Sequence, residues 1–174
     1  MSSKLAQAIL ADSNLKKLWA VKTPYELNTH NFIIQQNYKS VLSGSLSNVI
    51  RLVPEFGFPL DVTNVSKSDS ELSVIINSLN ANAGFKSLDE TKIMMSSILF
   101  LSNPVDTSVP VYSFISVASA TQIINTSVPL TFTTSLDGPL GTLYSKYQEQ
   151  KMFFVIITLN DDDLIIQHSS TYVD

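Results

Sequence analysis

The sequence predicts an α+β fold, with helices in the first hundred residues and a mostly antiparallel sheet in the last seventy. Three observations carry that reading. Residues 3–21 place Leu5, Ala8/Ile9, Asp12, Leu15 and Leu18/Trp19 close to helical spacing. Ser68-Asp-Ser-Glu71 and Ser87-Leu-Asp-Glu90 both have the pattern of a capping box, a hydroxyl followed three residues later by a carboxylate. From Val109 onward the pattern turns to strict alternation and to β-branched runs, ending in Met152-Phe-Phe-Val-Ile-Ile-Thr-Leu159.

Taken in order, the first helix is weakened in its middle by Asp12-Ser-Asn14 and ends before Thr23-Pro24, because a residue preceding proline is pushed out of the α region. Trp19 reads as a core anchor. Asn31 to Leu42 reads as a second helix, Ser43-Gly44-Ser45 as a break, and Leu46 to Leu52 as a short helix or strand. Val53-Pro-Glu-Phe-Gly-Phe-Pro-Leu60 is a rigid aromatic loop, in which Phe56 and Phe58 either tuck inward or dock onto a partner.

Behind each capping box lies an apolar series, Leu72, Ile75/Ile76 and Leu79 in one, Ile93/Met94, Ile98 and Leu101 in the other. Gly84 sits where a helix-terminating glycine belongs. The expectation is an αα-hairpin joined through Ala83 to Ser87. Then Val111, Ser113, Ile115 and Val117 alternate with Tyr112, Phe114, Ser116 and Ala118. Leu130, Phe132, Thr134 and Leu136 alternate with Thr131, Thr133 and Ser135, giving a sheet with one dry side and one wet or partner-facing side. A short helix is expected over 142–150. The closing hairpin has Met152–Leu159 as a central strand and Asn160-Asp-Asp-Asp163 as its turn. The whole is one domain, 1–174, with a mainly helical part to Leu101 and a mainly β part from Asn103. No internal repeat is expected.

Composition bears on function. Charged residues make up 15% of the chain, against about 25% in ordinary domains. Ser, Thr, Asn and Gln together number 57. Such a surface keeps hydrogen-bonding capacity but lacks strong like-charge repulsion, and hydroxyls and amides are cheaper to dry than ions. Oligomerisation is therefore expected. Net charge is −4, and Lys16-Lys17 is the one adjacent basic pair. That disfavours direct nucleic-acid binding, which needs a basic stripe, and docking to an anionic membrane.

There is no cysteine, so no thiolate site. The amino terminus has no apolar signal-peptide core, and no apolar run approaches the length of about 18 that spans a bilayer. A cytoplasmic or within-virion location is expected. Asn64-Val-Ser66 and Asn125-Thr-Ser127 match the glycosylation acceptor pattern, here read as chance. His30 and His168 form no metal-binding pair, and Asp161-Asp-Asp163 lacks the glycine and distal glutamate of a calcium loop. No nucleophile elbow or phosphate loop occurs. No catalytic, cofactor or metal residue is nominated.

The reading is a non-enzymatic structural subunit that self-assembles, most concretely a virion component (coat, matrix-like or phage tail/neck protein). Its partners are copies of itself or other protein subunits. Candidate interface residues are Phe56, Phe58, Thr131, Thr133 and Ser135. The alternatives are a protein-binding adaptor or effector domain, and a small enzyme or ligand-binding domain whose site is built from distant residues.

Overall fold

Two thirteen-residue strands form the interior of the molecule, and everything else is layered on them. This is a computed structural model; it describes residues 1–42, 45–82 and 84–174, so the expected break at Ser43-Gly44 and the link at Ala83 lie outside the described residues.

The chain opens with α1 (Ser2–Ala11) and α2 (Ser13–Lys22). Asp12 separates them with an extended backbone, and its carboxylate caps α2 by accepting the amides of Asn14 at 2.8 Å and Leu15 at 2.9 Å. Trp19 is fully buried, as its spacing predicts. Its indole Nε1 donates to the Leu52 carbonyl at 2.7 Å. α3 (Thr29–Asn37) follows, capped by Asn28, and runs into a 3-10 turn at Tyr38–Ser40. Two short strands, β1 (Val41–Leu42) and β2 (Ser45–Leu46), pair with each other. Residues 47–61 hold almost no regular structure. Yet Ile50, Leu52, Val53 and Phe58 within them are all buried.

Then come β3 (Val62–Lys67), β4 (Glu71–Ile76), β5 (Lys92–Pro104), β6 (Tyr112–Ala118), β7 (Gln122–Ile123) and β8 (Leu130–Ser135). After α4 (Pro139–Tyr144) the chain ends with β9 (Tyr147–Leu159), β10 (Ile165–His168) and β11 (Tyr172–Val173). The large sheet has the order β10-β9-β5-β6, with β7 on β5 and β11 on β9. The small sheet has the order β3-β4-β8. All named strand pairs are antiparallel.

The fold is therefore α+β with its helices at the amino-terminal end, but the helical part stops at Ser40. The expected αα-hairpin is instead a β-hairpin, β3–β4, followed by the central strand β5. Ser68 Oγ does accept the amide of Glu71, at 3.0 Å, as a capping serine would. Ser68 N also donates to the Glu71 carbonyl at 2.9 Å, so the same local bonds close a turn between strands. Likewise Gly84 has the positive φ expected of it, +82°, but it follows a 3-10 turn at Leu79–Ala81. The short helix comes earlier than expected: Pro139 starts it, and by Tyr147 the chain is already paired with Pro104 of β5.

Burial explains β5. Every residue from Ile93 to Leu101 is buried, because each face of the sheet is covered. Met94, Ile98 and Phe100 pack with Phe153, Val155 and Ile157 against the helices. Ile93, Met95, Leu99 and Leu101 pack with Met152, Phe154 and Ile156 against Leu72, Val74 and Phe132 of the small sheet.

A short repeat appears at the two flanks of this pair. β6 ends at Ser119-Ala-Thr-Gln-Ile123 and β10 at Ser169-Ser-Thr-Tyr-Val173. Ser119 and Ser169 are both buried. Ser119 Oγ accepts the Met95 amide, and Ser169 Oγ accepts the Ile156 amide, both at 2.9 Å. Each serine's own amide returns a bond to the same residue's carbonyl, and each hydroxyl donates to the next carbonyl along. Met95 and Ile156 face each other across β5 and β9. In each edge one extra residue then enters before pairing resumes, at Gln122 opposite Ile93 and at Tyr172 opposite Phe154. The bulges are thus arranged symmetrically about the Met95–Ile156 pair.

Ser119→Ala and Ser169→Ala should each lower folding stability by about 1–3 kcal/mol, since each strands a buried amide. Ser96→Ala, which removes a buried hydroxyl with no protein partner, should leave stability unchanged or raise it. Urea midpoints of the three variants check this; losses under about 0.5 kcal/mol at both bulge serines would refute it.

Candidate functional site

One of the five expected interface residues is withdrawn by the structure. Phe58 is 5% exposed and packs edge-to-face on Phe85 with ring centroids 5.1 Å apart. It is a core residue and is not available as an interface. Gly57 allows this, because the loop runs so close to β10 that a Cβ there would lie 1.9 Å from the His168 carbonyl oxygen. Phe58 N then donates to His168 O at 3.2 Å. Phe56 is 80% exposed, with the Arg51 guanidinium 4.7 Å above its ring.

Thr131, Thr133 and Ser135 all point outward from β8, as their alternation predicts. β4 brings Ile75, Ser73 and Glu71 opposite them, and β3 adds Asn64 opposite Ile75 and Ser66 opposite Ser73. The outer face of the small sheet is therefore an array of hydroxyls and amides around one isoleucine, with Glu71 its single ionisable group. Phe56 belongs to a different surface, beside Asn48, Arg51, Ser170 and Thr171.

A second feature was not visible in the sequence. Between α2 and the open edge of β10 lies a groove of about 500 Å³, within the usual range of about 300–1,000 Å³ for binding pockets. Leu18 and Val21 line its helix side, and Leu164, Ile165 and Ile166 its strand side, with Lys17 and Lys22 at the rim. Val21 is 81% and Leu164 61% exposed. The signal was present as Leu164-Ile-Ile166 directly after an acidic turn, but nothing local shows that the strand starting at Ile165 lies at the edge of the sheet order.

The acidic turn is held in place. Asn160 Oδ1 accepts the amides of Asp162 and Leu164 at 3.0 and 2.9 Å, and Asp163 takes a left-handed backbone with φ +58°. Lys92 pairs with Asp163 at 2.7 Å, and Thr91 donates to Asp161 at 2.7 Å. The bond to Asp163, with the nearby Asp161 and Asp162 charges, holds the Lys92 ammonium above its ordinary pKa. His30 lies in α3, its Nε2 3.3 Å from Ser3 Oγ. His168 lies on β10 and bonds the Ser169 carbonyl through Nδ1 at 2.9 Å. Among the described residues, no three His, Asp or Glu side chains are grouped to hold a metal ion, and no helix is long and apolar enough to cross a membrane.

At the far end of the small sheet, burial and the Asp69 charge raise the Tyr144 pKa, and burial raises that of Tyr147, whose phenol donates to the Pro110 carbonyl at 2.8 Å.

No protein-family model matches the chain, and no curated protein is similar to it in sequence. Among solved structures, it is similar to a selenomethionine-labelled beta-glucosidase from Kluyveromyces marxianus, with 11% identity and a TM-score of 0.26, over 79% of this chain and 17% of that one. The same enzyme in complex with glucose gives 10% identity and a TM-score of 0.24, with the same coverage. The chain spans 17% of the length of those structures, and likenesses of this size carry no argument about its fold or activity.

Lys92, Tyr144 and Tyr147 all keep their protons longer when folded than when unfolded. Their contribution is complete below the ordinary values near 10 and is lost as pH rises through the raised folded ones. Stability should therefore be level up to about pH 10 and fall above it. Tyr147→Phe should lower the neutral plateau by about 1 kcal/mol and make the alkaline fall shallower. Thermal melts from neutral to strongly alkaline pH test this; a fall of unchanged steepness in the variant would exclude Tyr147 as a contributor.

Proposed function

We propose that this chain is a non-enzymatic structural subunit that self-assembles, most concretely a virion component. The observation that supports it best is the outer face of the small sheet. Asn64, Ser66, Ser73, Thr131, Thr133 and Ser135 stand side by side there, and Glu71 alone carries charge. Removing water from hydroxyls and amides costs less than removing it from ions, provided they find new partners. Such a face stays wet in a lone molecule yet can be dried against a neighbour, where each hydroxyl can both donate and accept. The chain's low charge and its load of Ser, Thr, Asn and Gln point the same way.

Thr131→Lys with Thr133→Lys tests the proposal. Both positions are exposed, so folding stability should change by no more than about 0.5 kcal/mol at each. Light scattering over a range of concentration should show the parent chain as an oligomer and the double variant as a smaller species. A parent chain that stays monomeric at high concentration would sink self-assembly and favour an adaptor that binds a different protein. An oligomer of unchanged size would show that this face is not the contact.

A further inference from the structure

The large sheet ends on one side in β6, whose one strand neighbour among the described residues is β5. The register fixes which of its backbone groups are free. Ser119 N donates to Met95 O, and along an antiparallel ladder residues that exchange bonds alternate with residues that do not. Val117, Ile115 and Ser113 therefore bond across to Ser97, Leu99 and Leu101. Tyr112, Phe114, Ser116 and Ala118 turn their N–H and C=O groups the other way, out of the edge of the sheet. No loop among the described residues bonds them.

The other edge strands, β10, β3 and β8, each carry something that obstructs a further strand. Phe58 lies along β10, donating to His168 O and accepting Ser170 N at 2.9 Å, and the Asp161-Asp-Asp163 turn precedes that strand. β3 is bulged between Val62 and Asn64 and ends in Lys67. On β8, the Thr131 carbonyl accepts Gln122 Nε2 at 3.1 Å. From Tyr112 to Ala118, β6 has no charge, no proline and no register shift. Val111 before it and Ala118 at its end are exposed apolar side chains.

The strand is also complementary to itself. Laid antiparallel on a second copy, with a two-fold axis at Ile115, it pairs Tyr112 with Ala118 and Phe114 with Ser116. This is the register in which all four outward residues find outward partners. Each large ring then stands opposite a small side chain, Ser113 stands opposite Val117, and Ile115 meets itself. Lys4, whose ammonium lies 5.0 Å from the Tyr112 ring, is carried to the Ala118 end of the other copy, away from its own equivalent. No like charges are brought together.

We propose that β6 pairs edge to edge with β6 of a second copy, joining two large sheets into one across a two-fold axis. This rests on the self-assembly reading above and adds a contact distinct from the Thr131 and Thr133 face.

Cysteine pairing tests the register, since the chain has no cysteine of its own. Ser113 and Val117 form a non-bonded pair across the axis, with Cα atoms about 4.5 Å apart, within the reach of a disulfide. Within one strand the same two positions are about 13 Å apart and cannot close on each other. Ser113→Cys with Val117→Cys should give a covalent dimer on air oxidation, seen on a non-reducing gel, and neither single variant should. Ser116→Pro removes one outward amide from each copy and no bond to β5. Once circular dichroism shows that it folds, it should associate about tenfold or more weakly than the parent chain by light scattering. An oligomeric chain whose double-cysteine variant gives no covalent dimer, or a folded Ser116→Pro variant of unchanged size, would overturn edge pairing while self-assembly stands. A parent chain that is monomeric at all concentrations would overturn the self-assembly reading, and edge pairing with it.

Discussion

The long pairing of β5 with β9 is the constraint on which the rest of the structure depends. It runs in register from Lys92 opposite Leu159 to Pro104 opposite Tyr147. Its two faces are filled independently, one by the helices and one by the small sheet, and neither outer layer has a core without it. The flanking strands do not follow it in one register: pairing shifts by a residue beyond Met95 on one edge and beyond Ile156 on the other, where Ser119 and Ser169 stand. At the point where each edge strand bulges, a hydroxyl takes the amide that a backbone carbonyl would otherwise accept, so the ladder is interrupted without leaving a buried donor unpaired. The Ser-Ala-Thr-Gln-Ile and Ser-Ser-Thr-Tyr-Val segments are alike because they meet the same requirement on opposite sides of one residue pair. Thr171 adds a further tie, accepting the Leu52 amide at 2.9 Å and fastening the irregular segment that also holds Trp19.

Much of this was legible where one face of an element meets water. The helical stretch around Trp19 with its weak point at Asp12-Ser-Asn14, the end at Thr23-Pro24, the β8 alternation and the Met152–Leu159 hairpin all follow from local patterns, whereas the capping role of Asp12 is seen only in the structure. Lys92–Pro104 was not legible as a strand because it has no wet side. A doubly covered strand is a continuous apolar run, and periodicity alone does not separate such a run from a buried helix. Ser68 accepts the bond a helix cap would accept, so the same local pattern serves a helix start and a turn between strands. The partner of β4, β8, begins at Leu130, far along the chain, and nothing near Ser68 encodes it.

The candidate surfaces divide along the same line. Thr131, Thr133 and Ser135 were readable because strand alternation fixes which side chains point outward. Phe56 and Phe58 stand two residues apart in one loop, and their fates differ because Gly57 lets the backbone approach β10 and carries Phe58 inward. The groove required knowing that β10 is an edge strand, which is a property of the sheet order. The uneven distribution of charge was countable from the sequence, but it acquires meaning only once residues 1–52 are seen to form one layer.

Charge is unevenly shared along the chain: residues 1–52 hold six Lys and Arg against two acids, and residues 53–174 hold five against thirteen. The outer face of the small sheet lies in the acidic part, yet Glu71 is its one ionisable group. Thr131, Thr133, Ser73 and Ser66 can therefore lose their water at modest cost wherever they find new hydrogen-bond partners, because drying hydroxyls costs less than drying ions.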